Sequence, residues 1–176
     1  MNFQQFRRYK YVGPDEIRKS LRSASQPIRS KENLIEILET LDFSKSETGE
    51  STVTFVIDGE GFLRLAHRHS EHVVCAGGEE VLSAGEITFG WNSKKLGVES
   101  VSNQSTGYCP EPESWAAVQL ALERLGIDSP RGFSPEFIFR RCPQCDQTNL
   151  VKDSHFYCGV CEAELPQSWN FLEPCC

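Results

Sequence analysis

Apolar residues recur along this chain with two different periods, and the change of period divides it. From Ser30 onward, Leu34, Ile35, Ile37, Leu38 and Leu41 fall on one side of a 3.6-residue helix, with Ser30 placed to cap its first turn. A thinner helix is predicted after Gly13: Pro14 suits the first helical position, Asp15 and Glu16 favour the positive end of the dipole, Ile17 and Leu21 form a narrow apolar face, and Arg22 lies near its end. The stretch from Ser44 to Ser51 is polar, contains Gly49 and reads as a linker.

Beyond the linker the pattern becomes that of strands. Thr52-Val53-Thr54-Phe55-Val56-Ile57 is a β-branched run, Asp58-Gly59-Glu60-Gly61 is turn chemistry, and Phe62-Leu63-Arg64-Leu65 answers it as the second arm of a hairpin. Further strands are predicted over 81–89 and 96–102, separated by the polar turn Asn92-Ser93-Lys94-Lys95. After the corner Cys109-Pro110-Glu111-Pro112, Ser114 is placed to cap a helix whose apolar face is Trp115, Val118, Leu122 and Leu125, and Gly126 stops it. That helix is expected to cover one face of the sheet. A loop over 128–135 leads into a strand at Phe137-Ile138-Phe139.

The strongest chemical signal follows that strand. Cys142, Cys145, Cys158 and Cys161 stand as C-x2-C, twelve residues, C-x2-C, the ligand count and spacing of a tetrahedral zinc site built from two knuckles. Four thiolates close the coordination sphere and leave no position for water or substrate, so the Zn2+ is expected to be structural. An iron centre and a redox dithiol pair stay as alternatives, because soft thiolates do not by themselves choose the metal. The segment from Phe137 onward is too short to bury an adequate core alone, and metal ligation, worth about 10–16 kcal/mol in small zinc modules, is expected to carry much of its stability. The fold class expected is therefore α+β: a small antiparallel β-sheet core with covering helices and a C-terminal zinc ribbon. Its parts are a basic N-terminal helical segment (1–43), the sheet-plus-helix core (52–135) and the ribbon (136–176).

Composition narrows the function. A chain of 176 residues with 39% hydrophobic content supports one modest core plus the ribbon. No apolar run approaches the roughly 18 residues of a membrane span, and the N-terminus has no apolar signal region, so a cytoplasmic protein is expected. Cys75, Cys109 and the terminal Cys175-Cys176 form no disulfide framework, which agrees with a reducing compartment, and the terminal pair reads as a frayed end. The formal net charge is −7, and four ionised thiolates around one dication would take it to about −9. Residues 1–31 carry eight Lys and Arg against two acids, whereas 32–176 carry ten against twenty-three. The basic segment is expected to pack on its own acidic body, with an acidic partner as the alternative. From Phe137 onward three basic residues face five acidic ones, which argues against nucleic acid even though Arg140-Arg141 precede the first knuckle.

A second candidate site lies among the strands. His67, His69 and His72 are interleaved with Arg68, Ser70 and Glu71, and Gly77-Gly78 would allow close approach of a ligand to the backbone. The reading of these histidines as ordinary exposed loop residues stands beside a functional one. Two sharper alternatives are a metal site from His69, His72 and Cys75, and a nucleophile pair of Cys75 or Cys109 with a histidine.

The order His69-Ser70, Gly77-Gly78, Ala84-Gly85, Ser105-x-x-Tyr108 and Pro110 resembles a motif series, H-S-S, G-G, A-A-G and S-G-H-Y-x-P, of plant IQ-motif calmodulin-binding proteins and related bacterial toxin-associated modules. The resemblance covers 69–115. It implies a shared β-sheet module in which His69, Ser70, Glu86, Ser105 and Tyr108 line a common pocket. The chain has no IQ motif, so calmodulin binding does not transfer, and Gly107 stands where the series has histidine.

Two functions follow as expectations. The first is a zinc-binding adaptor with a protein partner, for which Pro166, Trp169, Asn170 and Phe171 offer an aromatic docking surface unless they fold back onto the ribbon. The alternative is a small-ligand or nucleotide-related enzyme domain using His69, Glu86 and Tyr108, with the amides near Gly77-Gly78 meeting phosphates and Tyr108 stacking on a ring. No Walker loop or dinucleotide fingerprint accompanies it.

Overall fold

The computed structural model describes residues 3–19, 24–41, 50–92 and 95–171. Strands β1 (Glu50–Asp58), β2 (Leu63–Ala66), β3 (Val81–Asn92) and β4 (Lys95–Ser102) form one antiparallel sheet in the order β2-β1-β3-β4. A second, two-stranded sheet pairs β5 (Ile138–Arg141) with β6 (Thr148–Val151). The helices are α1 (Asp15–Lys19), α2 (Lys31–Thr40), α3 (His72–Ala76) and α4 (Trp115–Arg124). The architecture is α+β with an antiparallel core and a cysteine cluster in its C-terminal part.

The β1–β2 hairpin is organised by Asp58, whose Oδ1 accepts from the N–H groups of Glu60 (3.0 Å) and Phe62 (2.9 Å) while Oδ2 takes the Arg64 Nε–H at 2.8 Å. Strand β1 starts at Glu50, two residues before the predicted run, so the last part of the expected linker is sheet. The rest of that linker, and Leu21 and Arg22 of the first predicted helix, lie outside the described residues.

Both faces of the sheet are covered, which is why β1 is buried continuously from Val53 to Asp58 rather than at alternate positions. Val53, Phe55 and Ile57 join Leu34 and Leu38 of α2 and Val118 and Leu122 of α4 in the main core. Val56 faces the other way, into a smaller cluster with Tyr9, Val73, Cys75 and Tyr108. Ser30 caps α2 as predicted, accepting from the Asn33 N–H at 3.2 Å. Ser114 does not cap α4; its hydroxyl pairs with that of Ser83 at 3.0 Å, and a 3-10 turn at Pro112–Ser114 starts the helix instead. Gly126 ends α4 in the left-handed region with φ 65°.

The basic N-terminal segment is bound to the body chiefly by backbone and rings. Tyr9 pairs with Val81 and Ile28 with Leu63 as isolated bridges. Arg8 donates to the Gly59 carbonyl at 3.1 Å, Arg7 lies over the Trp169 ring at 5.1 Å, and Lys10 meets Glu80 at a stretched 4.0 Å. Surface pairs of that kind contribute little to stability. No helix among the described residues is long and apolar enough to cross a membrane.

Candidate metal centre

The two cysteine knuckles are the same turn used twice. The Cys142 carbonyl accepts from the Asp146 N–H at 3.0 Å, and the Cys158 carbonyl accepts from the Glu162 N–H at 3.0 Å. Asp146 and Glu162 both adopt left-handed backbone, with φ 61° and 59°. In each knuckle the amide two residues past the first cysteine points at its sulfur: Gln144 N–H to Cys142 Sγ and Val160 N–H to Cys158 Sγ, both 3.4 Å. The β5–β6 hairpin, in the register Arg141↔Thr148, returns the chain so that the second knuckle stands opposite the first.

The result is a compact four-sulfur cluster. The ligand atoms of Cys142, Cys145, Cys158 and Cys161 all lie within 4.8 Å of one another. Cys142 and Cys161 are 3.5 Å apart, as are Cys145 and Cys158. A tetrahedron with metal–sulfur bonds of about 2.3 Å has edges of about 3.8 Å, so the donor set fits a tetrahedral metal ion. The thiols do not titrate alike. The backbone amides of Cys161 and Val160 hold Cys158 down to about 6. At Cys145 the Gln147 amide acts in the lowering direction, but burial and the neighbouring sulfurs push it up to about 12. Four adjacent thiols do not ionise together unless a cation offsets their charge, and the cluster lacks one among its side chains.

The ribbon is fixed to the sheet by buried polar contacts that the sequence did not reveal. Arg140, only 4% exposed, uses its whole fork. Its Nε donates to the Pro166 carbonyl (3.1 Å), Nη1 to Glu111 Oε1 (2.7 Å) and the Phe139 carbonyl (2.6 Å), and Nη2 to Glu111 Oε2 (3.2 Å) and the Gln167 carbonyl (2.8 Å). Arg140 therefore offers nothing to a phosphate, which removes half of the basic pair that nucleic-acid recognition would use. Asn170 bonds the Arg141 backbone at both ends, 2.9 and 2.7 Å. The Trp169 indole donates to the Cys109 carbonyl at 2.7 Å and meets the Tyr9 ring edge-on, while Phe171 is 4% exposed. The aromatic tail thus folds back, but into the seam between ribbon and sheet rather than onto the ribbon alone.

The residues of the second candidate site are distributed differently from one another. Tyr108 is fully buried, its hydroxyl donates to the Glu79 carbonyl at 2.8 Å, and burial raises its pKa; its ring packs edge-on against Tyr11. His69 is exposed beside His67, with ring centroids 5.4 Å apart, and Ser70 is half-buried. Glu86 pairs with Arg68 at 3.5 Å, both side chains being partly exposed. Ser105 is 1% exposed and its hydroxyl has no protein partner. Gly77 and Gly78 close the short helix α3, where the sequence predicts a loop. Their N–H groups donate to the Val74 and Val73 carbonyls at 3.1 and 2.9 Å and are not open to phosphates.

The proposed metal set His69, His72 and Cys75 is not assembled. The His72 Nε2 lies 3.0 Å from the Gly85 carbonyl oxygen, and among the described residues the group placed to hold a metal is the four-cysteine cluster. The nucleophile reading also loses its chemistry, since burial pushes the Cys75 thiol up to about 11 and the Cys109 thiol up to about 12. A buried thiol that stays protonated is a poor nucleophile.

Among the described residues three open cavities stand out. The first, about 650 Å³, is lined by Arg8, Lys10, Arg18 and Arg64 together with the acids Asp58, Glu60, Glu79 and Glu80, with Gly78 on its wall. One of about 630 Å³ lies beside β4, and one of about 540 Å³ lies between Tyr11, Glu71 and Thr148. None of the three is lined by His69, Glu86 or Tyr108. No protein-family model, curated protein or solved structure matches the chain.

Proposed function

We propose that this is a cytoplasmic, noncatalytic protein-interaction module in which a structural Zn2+ holds a ribbon against a rigid sheet core. The observation that carries the reading is the closed cluster of four sulfurs within 4.8 Å, on a ribbon secured to the sheet through Arg140. A coordination sphere filled by protein ligands stabilises a shape and has no place for a reactant. With the tail buried in the seam, the docking face moves to the outer edge of the second knuckle, where Tyr157 is 51% and Val160 69% exposed. Among the described residues beyond β5, the exposed charge of the ribbon is Asp153, Glu162, Glu164 and Asp146, the last paired with Arg141 at 3.6 Å, against Lys152. The partner this suits is a protein segment with cationic side chains around an apolar anchor.

The test compares the intact chain with a Tyr157→Ser, Val160→Ser double variant, by crosslinking in cell extract. The reading expects a captured species that is lost in the variant and weakened by salt, and an unchanged capture pattern sinks it. The small-ligand or nucleotide reading has a cavity of mixed charge beside Gly78 to draw on, and calorimetric titration of the intact chain with ADP tests it. The likeness of 69–115 to the calmodulin-binding and toxin-associated modules is retained as a proposal about the sheet alone.

A further inference from the structure

Asn149 stands beside the four sulfurs without being a ligand, and every polar atom of its side chain is engaged. Its Nδ2 donates to the Gln147 carbonyl at 2.8 Å and to Cys158 Sγ at 3.5 Å, while Oδ1 accepts from the Gly159 N–H at 3.0 Å. This pattern fixes the orientation of the carboxamide, since exchanging nitrogen and oxygen would set an oxygen against a carbonyl and a sulfur. The Gln147 carbonyl also accepts from the Cys142 N–H at 2.9 Å. One carboxamide thus reaches the first knuckle through Gln147 and the second through Cys158 and Gly159.

We propose that Asn149 is a positioning residue of the metal centre: it sets the two knuckles at their metal-binding separation and partly offsets the charge on the Cys158 sulfur. The physical need is clear. Four thiolates around a dication leave a net −2 in a site whose sulfurs Cys142 and Cys158 are buried. Each knuckle supplies its own backbone N–H to sulfur, and among the described residues the side-chain amide donor is an addition made at Cys158. Groups hydrogen-bonded to ligands govern metal affinity by about 10–100-fold.

The inference rests on the four-sulfur cluster holding a metal ion, and the experiment separates the two ideas. The intact chain and its Asn149→Leu and Asn149→Asp variants are titrated with Zn2+ against a chromophoric chelator, and each is loaded with Co2+ for absorption spectroscopy. Asn149→Leu should bind Zn2+ at least tenfold more weakly, and its sulfur-to-cobalt charge-transfer band should move to lower energy because the donor to Cys158 is gone. Asn149→Asp preserves the size and the Gly159 bond but sets a carboxylate against the sulfur, and should bind more weakly still. Leu and Asp variants that match the wild type within twofold, with an unmoved cobalt band, overturn the inference. A wild-type chain that takes up neither ion overturns the metal reading itself.

Discussion

The Asn103 carboxamide holds both backbone polar groups of Phe137, accepting from its N–H at 2.8 Å and donating to its carbonyl at 2.8 Å. Its second amide hydrogen donates to the Pro110 carbonyl at 2.9 Å, and the side chain is fully buried. One side chain at the end of the core sheet thereby aims the strand that leads into the first knuckle. Asn103→Leu leaves those groups unpaired in a dry site and is expected to destabilise the metal-loaded protein by about 2–4 kcal/mol, read as a lower denaturant midpoint. A loss under about 0.5 kcal/mol would mean that the groups find water.

Arg140 and Glu111 should behave as a unit. Their side chains are 5% and 12% exposed and the contact is bidentate. Removing one partner of a buried pair strands the other charge, so Arg140→Met is expected to cost about 3–5 kcal/mol, with Arg140→Met, Glu111→Leu recovering part of it. Additive single effects in the double-mutant cycle would show that the pair is not coupled.

Chelation should melt the ribbon before the sheet. Trp169 reports on it, because its bond to the Cys109 carbonyl and its contact with Tyr9 exist only while the ribbon is seated. Stripping the metal is expected to change the Trp169 fluorescence and to remove amide-exchange protection over β5 and β6, leaving β1 and β3 protected. Simultaneous loss of protection in both sheets would contradict this order.

Acid should weaken the fold through His72. Burial lowers its pKa in the folded protein, although the Gly85 carbonyl and the charges of Glu71 and Glu86 act in the opposite direction. The unfolded chain therefore binds more protons as pH falls below about 6.5, so stability is full above that pH and declines below it. His72→Gln should flatten this slope in metal-loaded protein monitored by urea unfolding between pH 7 and 5.5. An unchanged slope would place the titration elsewhere.

Two glycines should differ in their response to a methyl group. A Cβ at Gly85 would run into the Ser102 carbonyl, whereas one at Gly97 would meet nothing within 4 Å. Gly85→Ala is expected to lower stability by about 1–3 kcal/mol or more, since overpacking forces the backbone apart, while Gly97→Ala stays within about 0.5 kcal/mol. Thermal melts of the two variants decide it.

Features governed by neighbours in the chain were legible from residue order. Ser30 caps α2, Asp58 and its glycines turn the hairpin, Gly126 ends α4, and the C-x2-C pairs form two copies of one turn. Each depends on a few consecutive dihedrals, which residue type biases directly. Ser114 misled because Ser83, 31 positions away, competes for its hydroxyl. The histidine-rich segment misled because composition concentrates titratable groups without aiming them. His69 turns to solvent, His72 to the Gly85 carbonyl, and Tyr108 into the core.

The amino-acid order alone determined the antiparallel strands, the covering helices and the four-sulfur cluster, because periodicity and short spacing act through local backbone geometry. Only the tertiary structure decided that Arg140 is an internal clamp, that Trp169 and Phe171 seal a seam, and that Asn149 sits on a sulfur. Those roles depend on partners that the chain brings from distant positions, such as Glu111 to Arg140 and Cys109 to Trp169. Desolvation then forces each buried polar group to find an acceptor or donor wherever the packed elements place one.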